Sequence, residues 1–94
     1  MKTFNDLVFE PHPNLRGGVQ ALMTLNNGYE ISVVGGDEFF YGDGINTFEV
    51  AVFDRMGEMI MLQETDQVLG YQIKHEITDL IQKYDNEPIL KVNL

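Results

Sequence analysis

Ninety-four residues suffice for one domain, spanning 1–94, in which roughly 60–65% of the unfolded chain's surface can be buried. A hydrophobic share of 44% argues against disorder, and the lack of cysteine excludes a disulfide framework, a thiolate metal site and a cysteine nucleophile. The net charge of −9 speaks against direct binding of nucleic acid, which needs a basic stripe. No apolar run reaches the length of a membrane span or a signal peptide, so an intracellular protein with no membrane partner is expected.

In chain order, residues 1–6 read as a start that frays, and Leu7-Val8-Phe9 has the β-branched and aromatic content of a short strand. Pro11 and Pro13 end it, since neither can donate to a ladder. A hairpin over residues 19–34 follows, and its pattern fixes its register. A two-residue Asn27-Gly28 turn would set Leu25 against Glu30, placing the apolar sets on opposite faces. A three-residue loop of Asn26, Asn27 and Gly28 pairs Leu25 with Tyr29, Met23 with Ile31 and Ala21 with Val33. Because a one-residue slip flips every side chain, the second register is expected, with Gly28 in the left-handed position. Gln20, Thr24, Glu30 and Ser32 then face away from the core.

Residues 35–46 form a long glycine-rich loop, of a kind that is often functional. A strand over 47–53 turns through Arg55-Met56-Gly57 into a second hairpin, which pairs Val52 with Ile60 and Val50 with Leu62. Its other face collects Ala51, Phe53, Met59 and Met61. Residues 65–71 read as a turn, with a helical start capped by Thr65 or Asp66. Ile73, Ile77, Leu80, Ile81 and Tyr84 then make one helical stripe that Asp85-Asn86-Glu87-Pro88 stops. Residues 89–94 read as a partly ordered tail. The expected fold is α+β: an antiparallel meander of four to five strands with one C-terminal helix packed on one face.

From Phe4 to Tyr71 the chain resembles a group of short proteins common in bacteriophage genomes. The resemblance rests on Phe4-Asn5-Asp6-Leu7-Val8-Phe9-Glu10-Pro11-His12-Pro13 and Gly18-Val19-Gln20-Ala21. It continues through Asn27-Gly28-Tyr29, Ser32-Val33-Val34, Phe48-Glu49-Val50-Ala51-Val52 and Val68-Leu69-Gly70-Tyr71. It implies a phage origin and expression in the host cytoplasm. The group brings no enzymatic activity and no catalytic residues, and residues 35–46 and those after Tyr84 match its pattern least.

The residue inventory favours binding over catalysis, so no enzyme, cofactor or metal is expected. Ser32 is the only serine and has no flanking glycines of a nucleophile elbow. His12 is wedged between prolines, and His75 falls on the polar side of the helix. Asp37, Glu38, Asp43 and Asn46 offer hard oxygen ligands, but their spacing is not that of a calcium loop. Phe39, Phe40 and Tyr41 are candidate anchors within an acidic surround, either protruding or folded back onto the sheet. Residues 36–66 hold Asp37, Glu38, Asp43, Glu49, Asp54, Glu58, Glu64 and Asp66 against Arg55 alone. Together with a phage origin, this suggests a non-enzymatic inhibitor of the anti-CRISPR or DNA-mimic type. Its partner would be a basic host protein such as a nuclease or CRISPR effector. Phe39, Phe40 and Tyr41 would anchor it, with Asp37, Glu38, Asp43, Glu49, Glu58, Glu64 and Asp66 as the phosphate-like surface. On this reading, changing Asp37, Glu38 and Asp43 to Lys abolishes binding and spares the fold. The alternative is a homodimeric assembly module using Phe53, Met59 and Met61.

Overall fold

The computed structural model describes residues 2–14, 17–37, 40–63 and 66–87. Five antiparallel strands cross one sheet in chain order: β1 (Glu10–Pro11), β2 (Val19–Thr24), β3 (Glu30–Gly35), β4 (Phe48–Phe53) and β5 (Val68–Gln72). One helix, α1 (Lys74–Asp85), completes the expected α+β meander. The expected tail over 89–94 lies outside the described residues.

The first hairpin adopts the expected register, with Ala21 opposite Val33 and Met23 opposite Ile31. Leu25 N–H donates to Tyr29 O at 2.7 Å, closing the three-residue loop with Gly28 at φ 93°. A side chain at Gly28 would also strike that of Arg55, its Cβ falling 2.6 Å from Arg55 Cγ. Alternation puts Ile31, Val33, Val50 and Val52 on one face, where they join Ile77 and Ile81 of α1 as fully buried side chains. Burial of each such aliphatic side chain contributes about 1.5–3 kcal/mol.

The turn of this hairpin also holds the end of the helix. Asn27 is buried; its Nδ2 donates to Tyr84 O and, at 2.9 Å, to Glu87 O, while its Oδ1 accepts from Tyr29 N–H at 3.2 Å. Carbonyls left over at a helix C-terminus need such donors. At the other end α1 follows Ile73, which offers no capping side chain, and Glu76 Oε1 accepts from Ile73 N–H at 3.0 Å.

Four expectations need correction. The N-terminal segment is anchored: Thr3 caps a 3-10 turn over Phe4–Asp6, Phe4 N–H donates to Thr78 Oγ1 at 3.0 Å, and Gln82 Nε2 donates to Lys2 O. Phe4, Phe9 and Phe48 cluster with ring centroids 5.2 to 5.6 Å apart, which draws Leu7 and Phe9 onto the core and leaves Val8 exposed, without strand pairing at residues 7–9. The ladder begins at Glu10–Pro11, where a proline is tolerated because β1 is an edge strand.

The second hairpin lasts only briefly. Phe53 pairs with Met59, and Ile60 N–H donates to Val52 O at 2.8 Å, but Val50 pairs with Leu69 rather than Leu62. Leu62 and Gln63 N–H both donate to Asp66 O at 3.1 Å, so the chain turns away from the sheet and returns as β5. The segment read as a turn with a helical start is therefore a strand. Asp66 Oδ1 accepts from Val68 N–H at 3.1 Å, opening β5 rather than a helix, and Thr65 lies outside the described residues.

Neither margin of the sheet is a bare strand. β1 is two residues long and ends in proline. Along β5, Gln63 Nε2 donates to Val68 O, Gln72 Nε2 donates to Gly70 O, and Tyr71 N–H donates to Tyr41 O at 2.7 Å.

The Asn27 contact gives a test by thermal unfolding. Asn27→Ala should cost about 1–3 kcal/mol, since it removes a donor from Tyr84 O and Glu87 O and an acceptor from Tyr29 N–H. Asn27→Asp should cost more, because it sets an oxygen against both carbonyls while keeping the Tyr29 contact.

Candidate binding cleft beside the fifth strand

β5 carries an irregularity that shapes the most distinctive surface of the molecule. Val50 pairs with Leu69 and Phe48 with Gln72, so Gly70 and Tyr71 of β5 together oppose Glu49 of β4. The extra residue is accommodated at Tyr71, which sits at φ 55°, a left-handed backbone rare for a tyrosine. Bulges re-aim side chains, and here Tyr71 is 65% exposed. Its neighbour Gly70 lets another strand of chain approach. A Cβ at Gly70 would lie 2.6 Å from Tyr41 Cβ, so no larger residue fits beside Tyr41.

Tyr41 is 60% exposed, and its ring centroid lies 5.9 Å from that of Tyr71 at an angle of 50°. The two rings and Glu49, Gln63, Asp66, Val68 and Gly70 line an open cleft of about 430 Å³. Glu49 projects from β4 into this cleft. Burial raises its carboxyl pKa above the usual value, Tyr41 N–H opposes the rise by donating to it, and the charge of Asp66 adds to the rise. A site that sets two carboxylates, one of them partly desolvated, beside two π faces is suited to a cation, which offsets the charge and rests on the rings.

The expected acidic and aromatic surface is only partly assembled. Tyr41, Glu49 and Asp66 meet in the cleft. Phe40 does not join them: it is half-buried, and its ring lies 5.3 Å from that of His12. Asp37 is half-exposed, and Glu58 is exposed beyond the far end of β4, past the turn that Asp54 holds. Glu38, Phe39 and Glu64 lie outside the described residues.

Asp43 has a structural task. Its Oδ1 accepts from the N–H groups of Ile45, Asn46 and Thr47 at 2.8, 2.7 and 3.0 Å. These bonds, led by that from Thr47, lower its pKa to about 2. The expectation that Asp43→Lys spares the fold is therefore corrected, because that change unfastens the loop before β4. Among the described residues, no three His, Asp or Glu side chains converge on a metal position, and no helix is long and apolar enough to cross a membrane.

Tyr71 and Gln63 escape a reading of the sequence alone. The available signal was Gly70, since a glycine inside a strand marks the close approach of another backbone. No protein-family model, curated protein or solved structure matches the chain.

Two pH effects follow. A carboxyl whose pKa is raised in the fold contributes stability that is complete below its unfolded value and lost as pH rises through the folded one. Glu49→Gln should therefore raise the melting temperature at neutral pH and leave it unchanged well below pH 4.5. Asp43 has the opposite sign. Its contribution is present above 3.8 and lost as pH falls through about 2, which carbon-detected NMR of its carboxyl can follow.

Proposed function

We propose that this chain is a phage-encoded, non-enzymatic binding protein that inhibits a host nucleic-acid-handling defence system, of the anti-CRISPR or DNA-mimic type. Its partner is a basic protein, and contact centres on the cleft of Tyr41, Tyr71, Glu49 and Asp66. The observation that carries this reading is the pairing of two exposed tyrosines with two carboxylates, one of them held above its ordinary pKa. Lysines and arginines that grip a phosphate backbone suit the same carboxylates, and charge of this sign speeds the encounter. The phage origin rests on the sequence resemblance, and the host cytoplasm as the place of action follows from it.

A second reading, a homodimeric assembly module, draws on Phe53 and Met59, which pair across the strand ends, and on Met61, which is exposed. The net charge of −9 on each copy opposes it. Sedimentation at micromolar concentration separates the two, because a dimer lost on Met61→Lys supports the module.

The inhibitor reading is tested in cells carrying an active CRISPR system and challenged with a targeted phage. Expression of the chain should restore plaque formation, and Tyr41→Ala with Tyr71→Ala should abolish the effect while the purified variant still melts cooperatively. On the purified effector, loss of both rings should weaken binding about tenfold or more, in keeping with aromatic hot spots. Full activity of the double variant, or no effect of the parent chain on any effector's grip on DNA, would sink the proposal.

A further inference from the structure

The sheet face opposite α1 has a pattern that the cleft alone does not use. Register places Leu22 beside Ser32, Ser32 beside Ala51 and Ala51 beside Val68, one row running from β2 to β5. Val8 extends the row beyond β2, where it shares a second hollow of about 360 Å³ with Leu22 and Glu10. Leu22 is 54% exposed and Val8 72%, while Ser32 and Ala51 at the centre are short, so the row is a shallow apolar trough.

Carboxylates flank the trough on both sides. The row towards one end of the strands contains Glu10, Gln20 and Glu49, and the row towards the other contains Thr24 and Glu30. None of the five strands contains a lysine or an arginine. Lys74 and Lys83 lie on α1 instead, over the rings of Phe4 and Tyr84.

We propose that this face is the docking surface for a basic amphipathic α-helix of the partner protein. The proposal rests on the binding function assigned above and extends its contact from the cleft across the whole sheet. The dimensions agree. Rows four residues apart along a strand are separated by about 13 Å, and a helix with its side chains is about 10–12 Å across. Five strands span about 19 Å, the length of about 13 helical residues. The partner helix lays its apolar stripe along Leu22, Ser32, Ala51 and Val68. Its flanking lysines and arginines reach Glu30 on one side and Glu10 and Glu49 on the other, and the end nearest β5 meets Tyr41 and Tyr71. A second copy of this chain is a poor occupant, because it brings carboxylates to carboxylates.

The test uses the full chain and a synthetic helical peptide of about 14 residues, with a leucine stripe flanked on both sides by lysine. A scrambled peptide of the same composition is the control. Amide NMR should place the shifts at Leu22, Ser32, Ala51 and Val68, and the scrambled peptide should bind more weakly. Ala51→Lys should weaken binding about tenfold or more by setting a cation under the apolar stripe. Asp79→Asn, on the exposed side of α1, makes the same change in net charge and should have no effect. Ser32→Lys repeats the test should Ala51→Lys fail to fold.

Equal binding of the scrambled peptide, equal loss with Asp79→Asn, or shifts confined to α1 would overturn the proposal. So would self-association of the chain that Ala51→Lys abolishes. Shifts confined to Tyr41 and Tyr71 would remove the trough and leave the cleft as the whole contact. The trough thus fails separately from the inhibitor reading, which is decided by the tyrosine variants.

Discussion

The structure depends on one buried amide. Asn27 lies at the tip of the first hairpin and donates to Tyr84 O in the last turn of α1 and to Glu87 O just past it, so the most local element and the most distant one share a contact. Hydrophobic burial is non-directional and would let α1 slide along the sheet. A donor with two fixed acceptors does not. Together with the bond from Phe4 N–H to Thr78, in the second turn of α1, it fixes the helix at two points along its length.

That arrangement explains why the remaining face is open. A chain of this size has one helix to spend on covering a sheet, and Ile77, Ile81 and Tyr84 commit it to the side of Ile31, Val33, Val50 and Val52. The opposite side is left with a mixture that suits neither a core nor an ordinary solvated surface. Leu22 and Phe53 alternate there with glutamates, and the charge of the whole chain keeps this face soluble without hiding it.

Much of the fold was legible because it is local. The first hairpin declares itself through parity, since only one loop length puts Met23 and Ile31 on the same side, and α1 declares itself through an uninterrupted stripe. β5 was not legible. Gly70 and two flanking glutamines dilute its alternation, and its pairing with β4 depends on a turn that Asp66 completes. The N-terminal segment was missed for a similar reason: its order comes from contacts with α1, more than seventy positions away in sequence. The candidate site divides in the same way. That aromatics and acids matter was readable from composition. That Phe40 meets His12 while Tyr41 meets Tyr71 was not, because neighbouring residues of a loop diverge according to what each finds in space.

The closed margins of the sheet carry a last consequence. With Pro11 at one border and side-chain amides occupying carbonyls at the other, a foreign strand finds few vacant backbone groups to zip onto. Recognition by main-chain pairing tolerates many peptide sequences, whereas a surface read only through side chains is exacting. A sheet closed in this way offers a neighbour its side chains alone, so any contact with it is set residue by residue.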